Sequence, residues 1–264
     1  MFVDPPYHIR PLAQQRFFDS GEKPRGSVLC IHGFADSPYS MRLLSTAINV
    51  LGFRVLCLRL PGHGSRVEDL ARTTMSDWQE AVHRAVGELH GYPEPVIILG
   101  RSFGGVLALL EIAEHPQAAS AIITLATPRP TMNQRLLACI LPVIGLVKKT
   151  VPKPWVRSEE RVMRLEVGRY LSFPVSALRE FTKTLRRLTP KRLQHVKVPV
   201  LILHGHNDTV VHPEAARYLL EHLGSVEKRM VILEGVGHTP EELHRHKELQ
   251  QEISDFLGRH SLVA

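Results

Sequence analysis

Val96-Ile97-Ile98-Leu99-Gly100-Arg101-Ser102-Phe103-Gly104-Gly105 runs from an unbroken apolar tetrad into a glycine-framed serine. It continues directly into Val106-Leu107-Ala108-Leu109-Leu110-Glu111-Ile112-Ala113. A short, wholly apolar run reads as a buried strand, and the second stretch is good helix-forming sequence. Joining the two with almost no loop forces a sharp turn at Ser102. Gly100 and Gly104, two residues to either side, remove the side chains that would collide there. The serine hydroxyl is thereby pushed outward. At the start of the following helix the N–H groups are unpaired and the dipole is positive, so an oxyanion forming beside the serine would be stabilised. The stretch has the form of a nucleophile elbow, but Gly-x-Ser-x-Gly also occurs by chance, and its surroundings decide.

Outward from the elbow, strand-like and helix-like segments alternate. Upstream, Arg16-Phe17-Phe18 offers a first short strand. Ser27–Ile31 is a buried-type strand ending in His32-Gly33-Phe34-Ala35-Asp36-Ser37-Pro38, and Tyr39–Leu51 has helical spacing. The strand Phe53–Leu60 runs into Pro61-Gly62-His63-Gly64-Ser65, and Thr74 with Asp77 marks the start of a helix through Trp78–Leu89. Downstream, the elbow helix should stop before Pro116. Ala121–Ala126 and Val198–His204 read as strands, Glu214–Leu223 as a helix, Lys228–Leu233 as a strand and Pro240–Leu257 as a closing helix. Such repeated units predict an α/β fold with a mostly parallel central sheet and helices on both faces, built from residues 1–128 and 196–264. Residues 129–195 break the pattern. They read as short amphipathic helices punctuated by Pro142, Pro152, Pro154 and Pro174, hence as a helical cap inserted above the sheet. This segment is strongly basic, its acids being Glu159, Glu160, Glu166 and Glu180.

Composition excludes several alternatives. With 264 residues, 44% hydrophobic and 22% charged, the chain is an ordinary globular protein with room for one sizeable core. Cys30, Cys57 and Cys139 are an odd number and all lie in apolar runs, where cysteine behaves as a small buried hydrophobe. They imply neither a disulfide framework nor a cysteine metal site. Met1-Phe2-Val3-Asp4-Pro5-Pro6-Tyr7 lacks the basic and apolar regions of a secretory signal, so a cytoplasmic location is expected. Leu136–Val147 is too short to span a bilayer and contains Pro142. A formal charge of +7 raises the question of nucleic acid or an anionic surface. With only 6% aromatic residues and no basic stretch interleaved with stacking side chains, nucleic acid is not an expected partner.

A serine hydroxyl is a poor nucleophile unless a base lies within reach, and an imidazole serves best when a carboxylate holds it. In an open α/β sheet these groups belong at the carboxyl ends of strands. The loop after the strand ending at His204, Gly205-His206-Asn207-Asp208-Thr209, offers one acid, Asp208. The loop after Leu233, Glu234-Gly235-Val236-Gly237-His238-Thr239-Pro240, offers one histidine, His238. The loop after Ala126 has no acid before Glu159. The resulting order, Ser102, Asp208, His238, is that of the α/β-hydrolases.

The chain resembles that superfamily, and specifically its bacterial carboxylesterase and monoacylglycerol lipase group. The resemblance rests on His32-Gly33-Phe34, Pro61-Gly62-His63-Gly64, Ser76-Asp77-Trp78, the elbow, Gly205-His206-Asn207-Asp208 and Gly237-His238, spread over nearly the whole chain except the insertion. It implies Ser102 as nucleophile, His238 as general base and then acid, and Asp208 as the residue orienting the imidazole. It also implies an oxyanion hole from the backbone N–H groups of Phe34 and Phe103. Arg101 departs from the histidine or leucine common in such relatives. The serine argues against relatives that use an aspartate nucleophile, the haloalkane dehalogenases and epoxide hydrolases.

The expected reaction is hydrolysis of short- to medium-chain acyl esters through an acyl-enzyme, with no cofactor. A monoacylglycerol lipase is the alternative within the class, and a non-catalytic hydrolase-fold binding protein the alternative outside it. The expected partner is a small ester with an acyl chain. The basic cap, with its apolar stretch Leu136–Val147, allows weak association with an anionic lipid interface. His204 and His206, with Asp208 nearby, could be read as a metal-chelating pair, but no further donor is evident and His206 falls in a turn, so no metal is expected. His32 and His63 read as loop-packing residues, as do His244 and His246 on the terminal helix.

Overall fold

A computed structural model describes residues 8–21, 23–153, 160–240, 242 and 246–261, with side-chain placement described for all of these except 132–135, 137 and 138. Met1–Tyr7, Pro154, Glu159 and His244, on which expectations were placed, fall outside them. Seven strands form one sheet: β1 (Arg16–Phe18), β2 (Ser27–Ile31), β3 (Arg54–Leu58), β4 (Val96–Arg101), β5 (Ala121–Leu125), β8 (Val200–Gly205) and β9 (Lys228–Leu233). Their spatial order is β1-β3-β2-β4-β5-β8-β9. Only β1, at one edge, is antiparallel to its neighbour.

The apolar runs are continuous because both sheet faces are covered. On one face Leu29, Ile31, Ile98 and Ile122 pack against helices α3 (Met75–Leu89) and α4 (Phe103–Glu114). On the other, Val28, Cys30, Ile97 and Leu99 pack against α1 (Arg42–Val50) and the C-terminal helix Lys247–Arg259. Thr74 caps α3 as its sequence implied. Its hydroxyl accepts from Asp77 N at 3.3 Å, and its own N–H donates to the Asp77 carboxylate at 2.9 Å. Pro240 and Glu242 are helical as expected, but His246 is not, and it stands at the N-cap of the C-terminal helix Lys247–Arg259.

The elbow is made possible by absent side chains. A Cβ at Gly104 would lie 2.2 Å from the carbonyl oxygen of Ile31, and one at Gly100 would lie 2.5 Å from the backbone of Gly104. Helix α4 can therefore sit directly on β2 and β4. Ser102 absorbs the turn at φ 51°, a left-handed conformation costly for a residue with a side chain. Ala35 and Ala126, just beyond β2 and β5, also have positive φ, at 54° and 50°. Three neighbouring strands thus end in strained residues at the same edge of the molecule.

Strands β5 and β8 are parallel neighbours, so the chain between them is an excursion from the sheet. It carries α5 (Met132–Val147), β6 (Thr150–Pro152), α6 (Arg161–Glu166), β7 (Ser172–Pro174), α7 (Val175–Arg186) and α8 (Pro190–Leu193). Two expectations are corrected here. Pro142 does not interrupt the helix: α5 runs through it, since a proline forfeits one intrahelical bond while the flanking turns hold. The segment also contains strands, because β6 and β7 pair as an antiparallel ribbon with Val151 opposite Phe173. Pro152 and Pro174 close its two ends, and a two-stranded ribbon leaves each strand an edge on which a missing N–H is tolerated.

A third correction concerns Cys139, which is exposed on α5 while Cys30 and Cys57 are buried side by side on β2 and β3. The apolar run Leu136–Val147 points largely outward: Leu136, Ile140, Val143, Leu146 and Val147 are all exposed, and Leu141 is buried. Among the described residues no helix is long and apolar enough to cross a membrane.

Candidate active site

The sequence-predicted residues stand on loops at the carboxyl ends of β2, β4, β8 and β9. Ser102 is half-buried at the elbow, and its N–H donates to Leu125 O at 2.7 Å, which ties the turn to β5. The first N–H groups of α4, beginning with Phe103, have no intrahelical acceptor by construction. Gly33, which precedes Phe34, lies so close that a Cβ there would stand 3.4 Å from the Cβ of Ser102. The loop carrying Phe34 and the elbow are therefore in contact.

Asp208 and His238, thirty positions apart in sequence, meet through Nδ1–H of His238 donating to Oδ2 at 2.6 Å. The other carboxylate oxygen, Oδ1, accepts from the N–H groups of Val210 and Val211 at 2.9 and 2.8 Å. Burial by itself pushes the Asp208 carboxyl up. The hydrogen bond and charge of His238, with Val211 N–H, outweigh it and hold the carboxyl below its ordinary value. Asp208 is thus an anion at neutral pH with one oxygen fixed by backbone and the other by the imidazole. His204 is buried, and its Nε2–H donates to Val211 O at 2.7 Å while lying 3.6 Å from Asp208. Burial lowers its pKa, so it packs the loop as a neutral ring. His206 turns the other way, towards Glu234 at 3.4 Å on the surface. The His204–His206 pair therefore does not converge on a common ligand position.

Asp36 stands out as a hub that the sequence reading did not anticipate. Its two carboxylate oxygens accept from Arg101 Nη1 at 3.0 Å and from Arg169 Nε at 2.9 Å, all three side chains being buried or nearly so. Burial raises this carboxyl, but Arg169 and then Arg101 overcome it and hold it far below the carboxylate range. Arg101 spends its other terminal nitrogen on the carbonyl of His238, at 2.9 Å. One guanidinium thus joins the residue before Ser102, the loop after β2 and the backbone of His238. The unusual residue at the elbow is explained by this bridge.

The excursion between β5 and β8 is fastened to the same loop. Tyr170 N donates to Ala35 O at 3.3 Å, Tyr170 OH to Gly62 O at 2.6 Å, and the Ser37 hydroxyl to Val167 O. Lys153 Nζ reaches Ala35 O at 3.4 Å and lies 4.5 Å from the Phe173 ring, where burial pushes its pKa down to about 7. Phe34 completes the join. Its ring stacks on Phe173 of β7 and meets Phe181 of α7, Phe103 and Trp78 at centroid distances of 4.8–5.9 Å.

His32 and His63 behave as the packing residues they were read to be. His32 Nδ1–H donates to Gly33 O at 2.8 Å and its bare Nε2 accepts from Leu60 N at 3.2 Å, an arrangement possible only for the neutral ring. Burial pushes its pKa down to about 4 and that of His63 well below its ordinary value.

A strand-to-helix elbow with a strained serine, a carboxylate–imidazole pair on later strand ends and a mostly parallel sheet define an α/β-hydrolase. Residues 22–242 match the family Hydrolase_4, described as serine aminopeptidase, S33, and the chain belongs to that family of serine hydrolases. It is 27% identical over 235 residues to the thermostable monoacylglycerol lipase of Bacillus sp. (strain H-257), covering 89% of this chain and 91% of that one. It is 22% identical over 246 residues to a carboxylesterase of Bacillus subtilis (strain 168), covering 92% and 95%. A solved structure described for LipS and LipT, two metagenome-derived lipolytic enzymes, superposes with a TM-score of 0.81 at 24% identity, covering 96% of this chain and all of that one.

Two measurements test this arrangement. Replacing Arg101 by Met keeps the aliphatic stem and removes the bond to His238 O. Because that bond is charge-assisted, kcat should fall about 10- to 100-fold with little change in KM. A kcat within twofold of wild type would show that His238 is positioned without it.

The buried histidines set an acid limit. A folded-state pKa depressed below the unfolded value of 6.5 gives stability that is present above pH 6.5 and lost as pH falls towards 4. His32 alone accounts for about 3 kcal/mol over that window, and His63 has the same sign. Exposed His83, which Glu111 holds above its ordinary value, has the opposite sign and little weight. Urea unfolding at a series of pH values should show this fall beginning near neutrality, before the carboxylates titrate. A flat profile down to pH 4.5 would contradict it.

Proposed function

We propose that the protein is a carboxylic ester hydrolase that uses Ser102, His238 and Asp208 as a triad, with residues 129–195 forming the cap over its acyl site. The observation that carries this reading is the 2.6 Å hydrogen bond between Asp208 and His238, on a loop that Arg101 ties to the elbow. His238 takes the proton of Ser102 as the hydroxyl attacks the ester carbonyl, and the oxyanion is received by the N–H groups of Phe34 and Phe103. The same proton passes to the departing alcohol. A water activated by His238 then clears the acyl-enzyme, and no cofactor takes part. Asp208, fixed by two backbone N–H groups, keeps the imidazole in the tautomer that accepts from serine.

Short- to medium-chain acyl esters are the favoured substrates, with the aromatic surface around Phe34, Phe173 and Phe181 against the acyl side. The free thiols of Cys30, Cys57 and Cys139 favour a reducing, cytoplasmic setting. A second reading, a monoacylglycerol lipase, is supported by α5. Its exposed Leu146 and Val147 are followed by the exposed Lys148 and Lys149, a combination suited to an anionic lipid interface.

Hydrolysis of p-nitrophenyl esters across acyl lengths, for wild type and Ser102→Ala, tests the first reading. Wild type should turn over short esters best, and the variant should lose about 10⁴-fold or more in kcat with its fold intact. Absence of turnover on every ester would move the protein to a binding role. The interfacial reading is tested with a Leu146→Asp, Val147→Asp double variant. It should lose sedimentation with anionic vesicles and activity on dispersed monoglycerides while keeping its activity on soluble esters. Equal loss on soluble esters, or unchanged vesicle binding, would remove the interface from the proposal.

A further inference from the structure

Away from the elbow, α3 and α4 bring together three metal-ligating side chains that hydrolysis does not use. His83 projects from α3. Glu111 and His115 project from the last turn of α4 and its C-cap, four residues apart and therefore on one helix face. One donor atom from each lies within 4.8 Å of the other two. His83 Nδ1 is 2.8 Å from Glu111 Oε1, and the His83 and His115 rings stand 4.5 Å apart between centroids.

Glu111 is the unusual member, for its side chain is only 5% exposed on a helix that otherwise buries apolar groups. A buried carboxylate requires a countercharge, and its hydrogen bond from a half-exposed histidine supplies one only when that histidine is protonated. Arg187, which reaches the same two helices, is engaged with Glu114 at 2.5 Å and Gln79 at 3.0 Å. Both histidines are open to solvent, so an ion has a path to the buried oxygen.

We propose that His83, Glu111 and His115 form a binding site for a divalent transition ion of the zinc type, which clamps α3 to the far end of the elbow helix. Two imidazoles and one carboxylate are a donor set that zinc accepts in tetrahedral geometry, with water in the fourth position. Ligand atoms in such a site stand about 3.3 Å apart, given zinc–ligand distances near 2.1 Å. Only side-chain rotations within the existing 4.8 Å spread are required. The ion takes the place of the proton that now lies between His83 and Glu111: from the imidazolium form that proton leaves to solvent, and from the neutral ring it moves to Nε2. The site is independent of the ester-hydrolase reading and supplies nothing to that reaction.

The test uses the full-length protein stripped with a chelator and titrated with zinc chloride against a chromophoric zinc indicator. Thermal melting is followed in parallel, with cobalt as a spectroscopic stand-in. Wild type should take one zinc per chain at micromolar concentration and melt about 5 °C higher when saturated. Its cobalt complex should show the strong visible bands of a tetrahedral site. His115→Ala alters an exposed side chain, so its metal-free melting should match wild type, whereas His83→Ala also removes the hydrogen bond to buried Glu111 and should melt somewhat lower before metal is added. Each should weaken zinc binding by about tenfold or more and abolish the melting shift and the cobalt bands. His238→Ala should retain all three. Zinc binding that survives in His115→Ala but disappears in His238→Ala, or no binding by wild type at about 100 µM zinc, would overturn the proposal.

Discussion

The close seating of α4 on the sheet is the constraint on which the remaining architecture depends. Backbone meets backbone where Gly104 faces Ile31 and where Gly100 faces Gly104 and Gly105, with no space for a single added carbon. That contact leaves Ser102 no route but a left-handed turn, and it sets the free N–H groups of the helix beside the hydroxyl. Strain of this kind persists only when the surroundings over-determine it. Here they do: the serine N–H is tied to β5, the preceding arginine to two loops, and the following phenylalanine to an aromatic cluster.

Asp36 extends the same constraint to the excursion between β5 and β8. A buried carboxylate between two buried guanidiniums is not a cheap way to gain stability, because removing three charges from water costs several kcal/mol each before their attraction is counted. What the arrangement provides is position. Arg101 and Arg169 hold different oxygens of Asp36, so the loop after β2 cannot shift relative to the elbow or to the excursion without leaving a charge unpaired. Lys153 reaches the same loop at Ala35 O, and burial pushes its pKa down to about 7.

The sheet could be read from sequence because each central strand is buried on both faces and so appears as an unbroken apolar run, distinct from its neighbours. Ser27–Ile31 and Ala121–Leu125 were found within a residue of their ends, and the half-buried edge strand Lys228–Leu233 by its apolar second half. Asp208 and His238 were legible for another reason: each is the single acid or histidine of its kind in a loop whose place at a strand end was already fixed. Asp36 was not legible, since its partners lie 65 and 133 positions away and nothing local marks it. Arg101 was noticed as a departure, but its purpose depends on a backbone carbonyl 137 positions on. The misreadings share a cause. Pro142 and Cys139 were judged by local rules on a helix whose outer face has no core to cover it, so neither helix breaking nor apolar burial applied there.

That outer face divides the excursion into two physically different parts. Its base, Lys153 and the stretch from Val167 to Phe181, is joined to the core by hydrogen bonds at Ala35, Ser37 and Gly62 and by ring contacts to Phe34. Helix α5 contributes Leu141 to the interior and leaves Leu136, Ile140, Val143, Leu146 and Val147 in solvent. Apolar side chains in water gain nothing from that exposure, and a contiguous set of them on a monomer is uncommon without a surface to meet. The stability of the excursion must therefore come from its base, which frees α5 to carry a sequence selected for something other than packing.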